Sequence, residues 1–164
     1  MEQKQRLLQL FNRTDPLPGT ANSTSELRAI VLEIQAIMLG IVEPHGRRYF
    51  PTDEQRVIYA YSLRHCWAEW LPPGILDAPH HHFRFDITSM ERHPSPWRKF
   101  VSTVIHESLH CAAKMVSGAP DRQINCAAMV SLNPNLAISE EFVELKTEIV
   151  DAFPFLAELI DVVD

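Results

Sequence analysis

His106, Glu107 and His110 stand in the pattern His-Glu-x-x-His. On a helix, residues four apart stack on one face. Two imidazoles placed so can both reach one metal ion, at about 2.0–2.1 Å each. Glu107 is rotated about 100° from His106, near a water on the ion but not positioned to compete as a ligand. Neutral imidazoles with an open water position suit Zn2+. The chemistry this set supports is hydrolysis, with an acidified water as nucleophile and Glu107 as general base.

The motif needs a helix, and the flanking residues predict one. Ser95-Pro96-Trp97 combines a serine cap with proline at the first helical position. The helix should run to Ser117 and stop at Gly118. Phe100, Val101, Val104, Ile105, Leu109 and Ala112 give it an apolar face. Two polar imidazoles embedded in such a helix need partners.

Ahead of it, His82 to Thr88 alternates strictly. Phe83, Phe85 and Ile87 are expected on a buried face, and His82, Arg84, Asp86 and Thr88 on a wet one. Met90 to Pro94 reads as a loop. Residues 2–13 predict a short amphipathic helix with Leu7, Leu8, Leu10 and Phe11 on its apolar side. The segment Thr14 to Thr20, with two prolines and a glycine, breaks regular structure. Residues 1–20 are therefore expected to form an arm and linker, and 21–164 the main domain. A helix from near Ser23 to about Val42 follows from its spacing of threes and fours and from the capping-box pattern Ser23-Thr24-Ser25-Glu26. Thr52-Asp53-Glu54-Gln55 repeats that pattern and predicts a helix to about Trp70, whose aromatics Tyr59, Tyr61, Trp67 and Trp70 read as core packing first and as a lid or wall over a site second. A short helix over 121–130 and an acid-rich helix over 139–152 follow, Pro154 interrupts, and 156–163 finishes the chain. Five or six helices around a small sheet make the fold α+β, helix-dominated, in a single domain.

Composition narrows the function. The chain has 164 residues, 46% apolar and 22% charged, enough to bury a core without a disulfide or metal. A net charge of −6 argues against nucleic-acid or anionic-membrane partners. No window is apolar enough for a membrane span. The charged start does not read as a secretory leader. Three cysteines (Cys66, Cys111 and Cys126) without a CxxC pair read as reduced thiols in a cytoplasmic protein.

The helix carrying His106, Glu107 and His110 resembles the active-site helix of the zincin metallopeptidases. The resemblance is confined to the motif and its surroundings, about residues 80–150. It implies a zinc-dependent peptidase acting on a peptide or protein, with the preceding strand as an edge that holds extended substrate. The third ligand must come from elsewhere. Ala113 stands where the metzincin subfamily has glycine, and no histidine follows His110. Asp121, after Gly118, is similar to the third ligand of the aspzincins. Ala119 replaces the usual threonine there, and Ile124 and Asn125 replace the tyrosine and glycine, so the oxyanion-stabilising tyrosine is missing. Asp121 also reads as a helix cap after Pro120. A glutamate of the 139–152 helix, as in the gluzincins, is the other source: Glu140, Glu141, Glu144 and Glu148 are present. Glu140 and Glu144 point away from the apolar face drawn by Ile138, Phe142, Leu145 and Ile149.

The expected site is therefore His106, His110 and Asp121 as zinc ligands with Glu107 as base. Arg122 or one of His80, His81 and His82 is available as oxyanion donor. The run His80 to His82 also reads as an exposed loop entering the strand, and His45, His65 and His93 as ordinary polar residues. Two rival readings stand beside this one. One is a metal-stabilised binding or adaptor domain without activity, its fourth position filled by His80, His81, His82 or His93. The other is a helical interaction domain with no metal.

Overall fold

A computed structural model describes residues 2–19, 24–42, 51–64, 66–117, 146–148, 150, 151, 154 and 157. The elements are α1 (Glu2–Phe11), α2 (Thr24–Val42), β1 (Arg56–Ala60), β2 (Ala68–Leu71), β3 (His81–Phe85), α3 (Ile87–Glu91) and α4 (Pro96–Ser117). The fold is α+β, with a small mixed sheet in the order β1-β3-β2. β3 runs parallel to β1 and antiparallel to β2, with Ile58 opposite Phe83 and Trp70 opposite Phe83 from the other side. Residues 146–148, 150 and 151 are helical, and Val150 packs on the core.

α4 sits at the centre. It packs against α1, α2, α3 and β2. From Trp97 to Ala112 every residue is buried except Arg98, which is exposed, and His106, which is half-exposed. Such burial forces its hydroxyls to bond within the helix: Thr103 Oγ1 donates to Lys99 O at 2.6 Å and Ser108 Oγ to Val104 O at 2.6 Å. Phe100 meets Phe85 and Trp97 edge-on. The inner face of the sheet (Ile58, Trp70, Phe83, Phe85) closes the core from the other side.

The arm belongs to this core. Leu7, Leu10, Phe11 and Leu17 are all buried in it. Trp97 Nε1 donates to Asp15 O at 2.6 Å, and the Leu17 amide donates to the Glu91 carboxylate, so the proline-rich link is tied to α3 and α4. Gly19 has a φ of +104°, which residues with a side chain rarely adopt, and closes on Leu27 and Ile87.

The helix expected from Thr52 to Trp70 is not there. Its capping signal is real but local: Gln55 Oε1 accepts from the Thr52 amide at 3.0 Å, over one 3-10 turn, Asp53–Gln55. Arg56 then turns extended, at φ −103° and ψ 121°. Val57, Ile58 and Tyr59 are β-branched or aromatic, and pairing with β3 outweighs the cap. Arg28 of α2 holds this strand, donating to Arg56 O at 2.7 Å and Asp53 O at 2.8 Å.

Two further expectations need correcting. The strand over His82 to Thr88 begins at His81 and ends at Phe85. It is also central, not an edge, because β1 and β2 flank it on both sides. Beyond Phe85, Asp86 caps α3, so Ile87 and Thr88 are helical and Met90 and Glu91 are not loop. Asp86 is buried and accepts from the Ser89 amide at 3.2 Å and the Leu63 amide at 3.1 Å. Asp86→Ala removes both acceptors and is expected to cost about 2 kcal/mol. Urea unfolding measures this, and an unchanged midpoint would show that the cap does not hold α3.

Gly118, Asp121, Arg122, the short helix over 121–130, the Ser23 cap and most of 139–152 and 156–163 lie outside the described residues. Within them, no helix is long and apolar enough to cross a membrane. Cys66 and Cys111 are not in disulfides, and Cys111 is fully buried. Cys126 lies outside the described residues.

Candidate metal centre

The helical spacing does what it implies. His106 Nε2 and His110 Nε2 lie 3.0 Å apart, with ring centroids 4.6 Å apart and ring planes at 76°. Both rings thus turn the same nitrogen toward one point. Two zinc–nitrogen bonds of about 2.05 Å at a tetrahedral angle space their nitrogens about 3.3 Å apart. The observed gap is within a few tenths of an ångström of that bite, so the pair fits zinc. The same gap is a good hydrogen-bond length, so one ring can donate to the other when no cation is held.

Burial gives the site direction. His110 is 3% exposed and Glu107 2%, whereas His106 is half-exposed. Of the three, His106 is therefore the one in contact with solvent. Glu107 lies one turn before Cys111 on the inner side of α4, and its charge helps raise the Cys111 thiol. Burial is the main cause of that rise, and the Arg56 charge opposes it.

Behind Glu107 lies a buried polar cluster that the sequence reading missed. Arg56 and His81 are register partners on the inner face of the sheet. Arg56 Nη1 donates to Gln35 Oε1 at 2.8 Å, and its guanidinium also pairs with Asp53. Burial lowers the Arg56 pKa, and Asp53 opposes this. Trp70 Nε1 donates to His81 Nδ1 at 3.2 Å, with the rings stacked at 14°. Cys111 Sγ lies 3.9 Å from the same nitrogen. His81 is pushed down to about 4, first by burial, then by the charges of Arg56 and His82. It is a neutral core imidazole. The signal for it was available: His81 alternates with Phe83 and Phe85, the fully buried residues of β3.

The other expected residues fall as follows. His81 and His82 are in the strand and buried, not in an exposed loop, because His81 packs on Trp70 and Cys111 and His82 on Tyr59 and Asp77. His80 Nδ1 lies 3.0 Å from Asp77 Oδ1, and His82 Nε2 lies 3.3 Å from the same oxygen. His93 Nδ1 accepts from the Ser95 amide at 2.9 Å, at the start of α4. Asp121, Arg122, Glu140, Glu141 and Glu144, with His45 and His65, lie outside the described residues. Glu148 is half-buried. Among the described residues, no three His, Cys, Asp or Glu side chains form a group that could hold a metal. The structure therefore brings together His106 and His110, with Glu107 beside them in sequence and buried. No family model, curated protein or solved structure matches this chain.

Proposed function

We propose that this protein is a zinc-dependent metallopeptidase, with His106 and His110 as two zinc ligands and Glu107 as general base. The observation that carries this reading is the convergence of the two Nε2 atoms, 3.0 Å apart, on a helix buried nearly all round. A third ligand is assigned to the residues after α4: Asp121 first, then Glu141, Glu144 or Glu148. Zinc, when bound, supplies Lewis-acid polarisation of the substrate carbonyl and lowers the pKa of a water. Glu107 takes the proton from the attacking water and hands it to the leaving amine. Its burial keeps bulk water from competing for that proton and strengthens its field at the reacting atoms.

The substrate is a peptide or protein. With β3 internal, extended substrate would pair with β2, the edge strand that packs against α4. A reducing, cytoplasmic setting belongs to this reading, since Cys66 and Cys111 are both thiols.

The test begins with zinc itself. Titration of chelator-treated protein should show one tight site. His106→Ala and His110→Ala should each weaken it by more than about 100-fold, beyond the loss typical of a supporting partner. Zinc-loaded protein should cleave a mixed peptide library, and a chelator should stop it. Failure to bind zinc would overturn the proposal and favour a plain imidazole hydrogen bond. Tight zinc binding without cleavage would favour the adaptor reading.

A further inference from the structure

The sheet carries a second constellation on its other face, turned away from α4. Phe83 and Phe85 point inward, so His82 and Arg84 point outward. Tyr59 and Glu69 are the register partners of Arg84 and share that face. Tyr59 Oη lies 3.1 Å from His82 Nδ1, and His82 Nε2 lies 3.3 Å from Asp77 Oδ1. His80 Nδ1 contacts the same carboxylate oxygen at 3.0 Å. Arg84 Nε donates to Tyr59 Oη at 2.8 Å, and Arg84 Nη1 donates to Glu69 Oε1 at 3.2 Å.

Chemistry decides where the protons are. The Asp77 carboxylate accepts, so His82 Nε2–H donates to it. With the hydrogen on Nε2, His82 Nδ1 accepts, and Tyr59 donates its O–H there. The hydroxyl thus faces a base on one side and a permanent cation on another. A nucleophile within reach of a base, with that base oriented by a third group, is the arrangement of an activated nucleophile. Arg84 adds stabilisation for the charge that develops on the phenol oxygen. It is held in place by Glu69 and by lying 4.1 Å over the Tyr61 ring. The relay runs from inside to outside: the His82 side chain is 10% exposed, Tyr59 is half-buried, and the Asp77 side chain is 51% exposed. Ile75 and Leu76, just before Asp77, are exposed apolar side chains.

We propose that Tyr59 is the nucleophile of a second reactive site, one that accepts an acyl group from an activated ester. Tyr59 Oη bonds to the ester carbonyl carbon as His82 Nδ1 takes the phenolic proton. The carbon–oxygen bond to the leaving group breaks, and the leaving group departs as its anion. The acyl group stays on Tyr59, and His82 returns its proton to solvent. No oxidant or reductant is needed.

The probe is p-nitrophenyl acetate, with intact mass and peptide mapping as the readout. Tyr61 is the internal control, since it is 47% exposed and shares Arg84 but stands outside the relay. Tyr59 should be acetylated about 100-fold faster than Tyr61, the scale of general-base assistance. His82→Gln should erase that advantage. Asp77→Asn, on the exposed loop, should reduce it by about 10-fold and serves if His82→Gln does not fold. Acetylation of Tyr59 no faster than of Tyr61, or at the same rate in the folded variants as in the natural chain, would overturn the proposal. Hydrolysis at the α4 histidines leaves no acetyl group behind, so this test stands apart from the peptidase test.

Discussion

Replacing Glu107 with glutamine is expected to leave zinc binding nearly unchanged and to lower peptide hydrolysis by about 10²–10⁴-fold. The two side chains have nearly the same shape, so the buried position stays filled. His106 and His110 keep their 3.0 Å approach, because α4 is held by its packing and not by this carboxylate. What is lost is the base: an amide does not take a proton from water near neutral pH. Zinc titration and peptide cleavage on the same preparation separate the two effects. Full turnover in zinc-loaded, purified Glu107→Gln would end the peptidase reading.

Acid is expected to destabilise the fold through His81, by about 3 kcal/mol between pH 7 and pH 4. In the folded chain this imidazole titrates near 4, against 6.5 for the ordinary group. The unfolded chain therefore takes up its proton first as pH falls. Protons bind the unfolded state more strongly across that window, so stability drops with falling pH below 6.5 and levels off below about 4. Above 6.5 both states are neutral and the contribution vanishes. The cause is burial against Trp70 and Cys111, reinforced by the nearby Arg56 cation. His81→Gln retains an acceptor for the Trp70 indole and removes the titration. Urea midpoints of both proteins across this range measure the difference. An equal acid loss in the two would show that His81 is not the responsible group.

These two predictions rest on opposite kinds of information. The pair of histidines on α4 was legible because a helix repeats every 3.6 residues, so spacing alone puts positions 106 and 110 on one face. The start of α4 was legible too. A serine cap followed by proline is a local signal, and no later contact opposes it. α2 was equally readable from its apolar stripe.

The sheet was not legible in the same way. Thr52 and Gln55 do make a helix-start contact, yet the chain leaves after one turn. Whether Arg56 to Ala60 becomes strand or helix depends on β3, some twenty residues later, which offers a row of backbone partners. The capping signal is local and weak, whereas the pairing is long-range and cooperative. The same reason moved β3 from edge to centre: alternation reports which side is buried, not how many neighbours a strand has.

The amino-acid sequence by itself determined the α4 helix, the facing imidazoles and the amphipathic arm, because each follows from short-range periodicity and capping. Only the tertiary structure decided that Arg56, His81 and Cys111 share a buried cluster and that Tyr59, His82 and Asp77 line up on the far face. Those groupings join strands and helices that are distant along the chain. Pairing register and packing set them, and no local pattern encodes either.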